Sequence, residues 1–143
     1  MRYLKKFLIF ESYDPEDILE YFQDMIDNGL EVIHEDDFNG KGDNCIEIAV
    51  PKNWDDKNPD DDIVKWINEI SNLHSQYEKI RMFKFFGGYI KGVTQKDVDW
   101  DLVDPYIKSL FETIERITRK KIVGVTRSEG YEPHHDYILR IIF

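Results

Sequence analysis

The stretch from Ser12 to Val50 most constrains how this chain can fold, because it reads as a helix, a sharp stop and two strands. Asp14 and Pro15 are typical of a helix start, since aspartate caps free backbone N–H groups and proline lacks an N–H that would need a partner. Apolar residues then recur at helical spacing, at Ile18, Leu19, Phe22, Met25 and Ile26. Asn28-Gly29 ends the helix, because glycine readily takes the left-handed conformation found after a helix C-terminus.

Two strands follow this helix. Leu30, Val32 and His34 alternate with Glu31, Ile33 and Glu35 as in a strand, and Cys45–Val50 places Ile46, Ile48 and Val50 on one face. The intervening segment 39–44 is rich in Asn, Asp and Gly, which is typical of a turn. The sequence therefore predicts a β-hairpin.

The same order returns at the C-terminus. Asp104-Pro105 starts a helix, and its apolar stripe is Ile107, Leu110, Phe111, Ile114 and Ile117. Predicted strands at Val123–Arg127 and Tyr137–Phe143 follow it. Both faces of the last strand are apolar, which favours a central place in a sheet.

The middle of the chain predicts a second helix and a third strand. Three aspartates, Asp60 to Asp62, precede a stripe of Ile63, Trp66, Ile67, Ile70, Leu73 and Tyr77. Ile80–Phe86 predicts a strand dense in aromatic residues, and Gly87-Gly88 a bend. Tyr3–Phe10 alternates as a further strand would.

These elements together predict an α+β fold, a two-layer sandwich of three helices on a mostly antiparallel sheet. If Tyr3–Phe10 is a strand rather than a loose arm, residues 1–93 have the ferredoxin-like β-α-β-β-α-β order, and 104–143 add an α-β-β unit on the same core. Residues 94–103 are the predicted linker within one compact domain of 143 residues.

The charge is unevenly distributed along the chain. The formal net charge is −10, yet 11–62 alone holds 18 acidic residues against three basic ones. An acidic field repels nucleic acid and anionic membranes and attracts basic protein surfaces. The candidate partner-binding acids are Glu31, Glu35, Asp36, Asp37, Asp55, Asp56, Asp60 and Asp61.

Glu132, His134, His135 and Asp136 form the densest group of metal-type ligands. Adjacent histidines in a strand point to opposite faces, so a site here requires an irregular loop or a second loop, such as the one at His34–Asp37. The sequence has no P-loop, dinucleotide-binding or EF-hand pattern, and no cofactor is predicted. The single cysteine, Cys45, permits no internal disulfide and fits a reducing cytoplasm.

The opening MRYLKKFLIFESYDPEDILEYFQDMIDNGLEV, followed by IEIAVPK, resembles a loose group of small proteins encoded by tailed phages. The resemblance covers residues 1 to about 75 and carries no catalytic motif. It implies a phage origin and expression in the cytoplasm of an infected bacterium.

Three functional hypotheses follow from these observations. The first is a non-enzymatic acidic protein that binds and blocks a basic, nucleic-acid-handling host protein, as a defence inhibitor would. The second is a virion or assembly component that self-associates near Trp54, Trp66 or Trp100. The third is a metal-dependent enzyme that uses the loop at 132–136.

Overall fold

A computed structural model describes residues 13–86, 93, 95–130 and 134–143. The strand predicted at Tyr3–Phe10 and the bend at Gly87-Gly88 lie outside these residues. The described helices are α1 (Pro15–Leu19), α2 (Gln23–Asp27), α3 (Asp61–Phe86) and α4 (Pro105–Thr118). The described strands are β1 (Glu31–Glu35), β2 (Cys45–Pro51), β3 (Gly124–Glu129) and β4 (His135–Ile142).

The helix starts form as the sequence predicts. The Asp14 carboxylate accepts a hydrogen bond from the backbone N–H of Glu16 at 3.0 Å, and that of Asp104 accepts one from Tyr106 at 2.8 Å. The first helix is interrupted by a 3-10 turn at Glu20–Phe22, which separates α1 from α2. It ends where Gly29 takes a φ of +94°.

The four described strands form one antiparallel sheet in the order β1-β2-β4-β3. Each helix–strand–strand unit contributes one hairpin, and the second strands of the two hairpins pair at the centre. The predicted central position of the last strand is therefore confirmed, as is the antiparallel α+β class.

The helices cover one face of this sheet. Ile46, Ile48 and Val50 of β2 belong to the same buried core as Leu139 and Ile141 of β4. The predicted stripe of α3 is buried there at Ile63, Ile67, Ile70, Leu73 and Tyr77, and that of α4 at Ile107, Leu110, Phe111 and Ile114. Val98 and Val103, from the predicted linker, also belong to this core.

The strand predicted at Ile80–Phe86 is wrong, because these residues form the last two turns of α3. A short apolar run fits a buried helix as well as a strand, and no glycine or proline separates Tyr77 from Ile80 to end the helix. The ferredoxin-like order needed this strand, and it is not confirmed. No described helix is both long and apolar enough to cross a membrane.

Candidate functional site

The eight predicted acidic residues lie at two ends of β1. Glu31 begins the strand, and Glu35, Asp36 and Asp37 stand at its far end. At the rise of an antiparallel strand, Glu31 and Glu35 are about 13 Å apart along the chain. All eight side chains reach solvent, and Glu35 is the most buried of them. They therefore form two groups rather than one continuous array.

Asn28 assembles the group at the start of β1. Its side-chain oxygen accepts a hydrogen bond from the backbone N–H of Asp60 at 2.8 Å, and its side-chain nitrogen donates to the backbone oxygen of Asp24 at 2.7 Å. Its own backbone oxygen accepts a hydrogen bond of 2.8 Å from the indole N–H of Trp54. One residue thus joins the end of α2, the 3-10 turn at Trp54–Lys57 and the start of α3.

A cavity of about 330 Å³ opens beside Asn28. Its walls are carboxylates, one amide and two apolar side chains, from Asp24, Asn28, Asp60, Asp61, Asp62, Ile63 and Trp66. The Trp66 ring is held in place by stacking on Tyr106, with ring centroids 3.9 Å apart. We call this the smaller acidic cavity.

A second cavity, of about 560 Å³, has Trp54 in its lining. Its acidic lining residues are Asp55, Asp56 and Asp136, and Lys52 is the basic one. Tyr137 forms part of the wall, and its ring lies 4.0 Å from the guanidinium carbon of Arg127. Burial raises the pKa of Tyr137, so its hydroxyl stays neutral at physiological pH. We call this the larger acidic cavity, and the two cavities together the acidic end.

Within the part of the chain that the structure describes, the carboxylates of the smaller acidic cavity have no basic partner. Across the described ranges, no lysine, arginine or histidine nitrogen lies within 4.0 Å of the carboxylates of Asp24, Asp60, Asp61 or Asp62. Asp104 shows the contrast, since Lys65 lies 3.0 Å away and, with the Tyr106 backbone N–H, lowers the Asp104 pKa. These four aspartates are exposed, and no described basic side chain neutralises their charge.

The group at the far end of β1 is built around a buried histidine. The Tyr13 hydroxyl lies 2.6 Å from Nε2 of His34 and accepts a hydrogen bond from the Asn44 amide at 2.8 Å. Burial lowers the pKa of His34, although the Asp36 carboxylate, 3.7 Å away, acts in the opposite direction. Burial also raises the pKa of Tyr13 to about 12. This cluster fastens the chain before α1 to the sheet.

The predicted metal ligands are dispersed. His135 pairs with Glu31 at 2.6 Å, His134 is exposed, and Asp136 lines the larger acidic cavity. His34 and His135 lie at opposite ends of the sheet, because His34 is paired with Ile46 and His135 with Pro51. Glu132 lies outside the described residues. Among those described, no three His, Cys, Asp or Glu side chains are arranged to hold a metal ion.

The predicted contact tryptophans are packed against the core. Trp54 is 5% exposed, and Trp66 and Trp100 are partly buried. Large apolar side chains that do reach solvent include Met82 and Phe83 on α3, of which Phe83 is 77% exposed. Cys45 is fully buried, and burial raises its pKa to about 12, so its thiol is unreactive at neutral pH.

Sequence reasoning missed Asp24, Asn28 and Asp62 as members of the acidic end. Asp62 directly follows the predicted Asp60 and Asp61, so the acidic run itself could have included it. Asp24 and Asn28 carried no local signal beyond a helix end, because their neighbours at 60–62 are more than 30 positions away. No family model, curated protein or solved structure matches this chain.

Proposed function

We propose that this chain is a non-enzymatic acidic interaction protein that binds a basic surface of another protein through its acidic end. The observation that carries the proposal is the smaller acidic cavity, where four aspartates that pair with no described basic side chain surround an open space. Arginine and lysine side chains form charge-assisted hydrogen bonds with such carboxylates. Trp66 adds an aromatic wall, against which a cation is also attracted.

The proposal extends to the origin of the protein and the class of its partner. The resemblance of residues 1–75 to tailed-phage proteins supports expression in the cytoplasm of an infected bacterium. Host proteins that handle nucleic acid carry basic grooves, and an acidic end competes for such grooves. We therefore propose a phage-encoded inhibitor of a nucleic-acid-handling host protein, of the anti-defence type.

The experiment compares two triple variants in affinity capture from bacterial extract. Asp60→Asn, Asp61→Asn and Asp62→Asn neutralise the smaller acidic cavity, and asparagine still caps a helix N-terminus. The matched control is Asp101→Asn, Glu112→Gln and Glu129→Gln, three exposed acids elsewhere with the same change in net charge. We expect the first variant to bind the partner at least about tenfold more weakly, which corresponds to about 1.4 kcal/mol. The control should bind it as tightly as the wild type.

Salt provides a second criterion. Binding driven by charge weakens steeply between about 50 mM and about 0.5 M salt, because the screening length shortens. A partner that binds both triple variants equally, or binds independently of salt, would contradict the proposal.

A second candidate function is self-association, favoured by the exposed neighbours Met82 and Phe83 on α3. Apolar side chains exposed together mark contact surfaces more often than scattered ones do. Sizing chromatography over a wide concentration range tests it: a concentration-dependent dimer that Phe83→Ser abolishes supports assembly, and a monomer throughout excludes it.

A further inference from the structure

Among the described strands, β1 lies at an edge of the sheet and has no partner on its outer side. It pairs with β2 along all five residues, from Glu31 opposite Ala49 to Glu35 opposite Cys45. It stands at the end of the strand order, and within the described part of the chain no backbone hydrogen bond engages its other side. A free edge offers unpaired N–H and C=O groups to an additional strand.

The pairing at the centre of the sheet identifies which groups these are. Asn44 and Phe143 exchange both backbone hydrogen bonds, at 2.7 and 2.9 Å. Alternate residues of an antiparallel strand bond to alternate sides, so Cys45, Glu47 and Ala49 of β2 bond towards β1. Their partners Glu31, Ile33 and Glu35 are therefore satisfied. The N–H and C=O groups of Val32 and His34 are the ones that no described residue engages.

The side chains beside this edge define the strand that would fit. Glu31, Ile33 and Glu35 lie on the sheet face opposite the helices, and Ile33 is 45% exposed. In an added antiparallel strand, residues opposite these three would form non-hydrogen-bonded pairs, in which side chains approach most closely. Basic residues are favourable opposite the two glutamates, and an apolar residue opposite Ile33.

A second copy of β1 is disfavoured in the register centred on Ile33. That register places Glu31 opposite Glu35 twice, and directly opposed like charges are destabilising. Glu31 also borders the acidic end, through its contact with His135 beside Asp136. The edge and the acidic end thus offer negative charge to the same partner.

We propose that β1 binds an extended segment of the basic partner as a fifth strand, with the pattern basic–x–apolar–x–basic. Strand addition of this kind takes affinity from backbone hydrogen bonds and specificity from alternate side chains. The inference rests on the proposed function, which supplies the basic charge of the partner. What it adds is the way the partner binds, as a strand, and the register of that strand against β1.

The test uses a capped synthetic peptide, lysine–threonine–valine–threonine–lysine with one threonine at each end, and amide hydrogen exchange followed by NMR. With the peptide at about ten times its Kd, we expect exchange at Val32 and His34 to slow roughly tenfold, because only the free fraction exchanges. Amides at Glu31, Ile33 and Glu35, already bonded to β2, should change little.

Two controls separate strand addition from simple charge attraction. A peptide N-methylated at the two threonines beside valine keeps its charges but loses the N–H donors that face Val32 and His34, and we expect it not to bind. The variant Glu31→Lys with Glu35→Lys should reject the original peptide and accept one with glutamates in place of the lysines. Circular dichroism checks that this variant folds.

The inference is overturned if the N-methylated peptide binds as well as the original, or if Val32 and His34 gain no protection. Neither result affects the proposed function, which is decided by the Asp60, Asp61 and Asp62 variant and by salt. The opposite combination is also informative. If the peptide protects Val32 and His34 but the captured partner binds the triple variant as tightly as the wild type, strand addition is supported and the acidic end is rejected as the contact.

Discussion

The indole N–H of Trp54 donates a hydrogen bond of 2.8 Å to the backbone oxygen of Asn28. Trp54 lines the larger acidic cavity and Asn28 the smaller one, so this bond joins the linings of the two cavities. The indole is 5% exposed, and the bond is partly buried. The shape of the acidic end therefore depends on a contact between residues 26 positions apart.

Replacing Trp54 by phenylalanine removes this donor and part of the buried ring. We expect the free energy of unfolding to fall by about 1–3 kcal/mol, because the Asn28 carbonyl loses its partner and the core loses volume. Urea unfolding followed by far-UV circular dichroism measures the change. The matched control is Trp66→Phe, at a less buried ring that stacks on Tyr106. Equal losses in the two variants would show that the hydrogen bond contributes little.

Stability should fall in mild acid because of His34. Burial holds the pKa of folded His34 below its ordinary value of 6.5. As pH falls below 6.5 the unfolded chain binds the proton first, so unfolding becomes more favourable until folded His34 also titrates. The Tyr13 hydroxyl, with a pKa of about 12, stays protonated throughout.

The measurement is urea unfolding of the wild type and of His34→Gln between pH 8 and pH 5. The other histidines are common to both proteins, so the difference in pH dependence isolates His34. We expect the variant to lose less stability on acidification than the wild type. Parallel pH profiles would contradict the assignment.

Glu47 and Arg140 form a cross-strand ion pair of 2.7 Å at the centre of the sheet. Both side chains are mostly buried, at 15% and 24% exposure, so salt screens them poorly. A double-mutant cycle with Glu47→Ala and Arg140→Ala should give a coupling energy of about 1–3 kcal/mol that persists at high salt. The exposed pair Arg81 and Glu78, at 71% and 41% exposure, is the control, and its coupling should be smaller and lost at high salt.

Gly29 ends the first helix with a φ of +94°, a conformation that costs a residue with a Cβ about 1–2 kcal/mol. Gly29→Ala should lower the free energy of unfolding by that amount, since the new methyl meets Lys57 and Trp54 at ordinary contact distances of 3.5–3.7 Å. Gly40→Ala is the control, because Gly40 has a φ of +71° in an exposed turn that can relax. Denaturant unfolding should show the larger loss for Gly29→Ala, and the reverse order would refute this account.

Two positions of α3 differ in burial, so alanine substitutions there should change the free energy of unfolding by very different amounts. Phe83 is 77% exposed, so Phe83→Ala should change the free energy of unfolding by less than about 0.5 kcal/mol. Leu73 is fully buried, so Leu73→Ala should cost about 2–5 kcal/mol. Thermal or urea unfolding distinguishes them, and comparable losses would mean that Phe83 is packed rather than exposed.

Local patterns in the sequence determined most of the elements of this fold. Asp14-Pro15, Asp104-Pro105 and Asn28-Gly29 act within one helical turn, so their meaning does not depend on the rest of the chain. The alternation of Ile46, Ile48 and Val50 likewise identified the buried face of β2, because side-chain direction in a strand has a period of two. The antiparallel class and the central position of the last strand followed from these patterns.

Only the tertiary structure decided what these elements bring together. The apolar pattern of Ile80–Phe86 suits a strand or a helix, and in the structure α3 continues through it, with Ile80 packed against the core and Met82 and Phe83 exposed. Asn28 brings the start of α3 to the end of α2 through its bond to Asp60, and β1 lies at the edge because no described strand pairs with its outer side. Such contacts join residues tens of positions apart. Their formation depends on the packing of the whole core, which no local periodicity encodes.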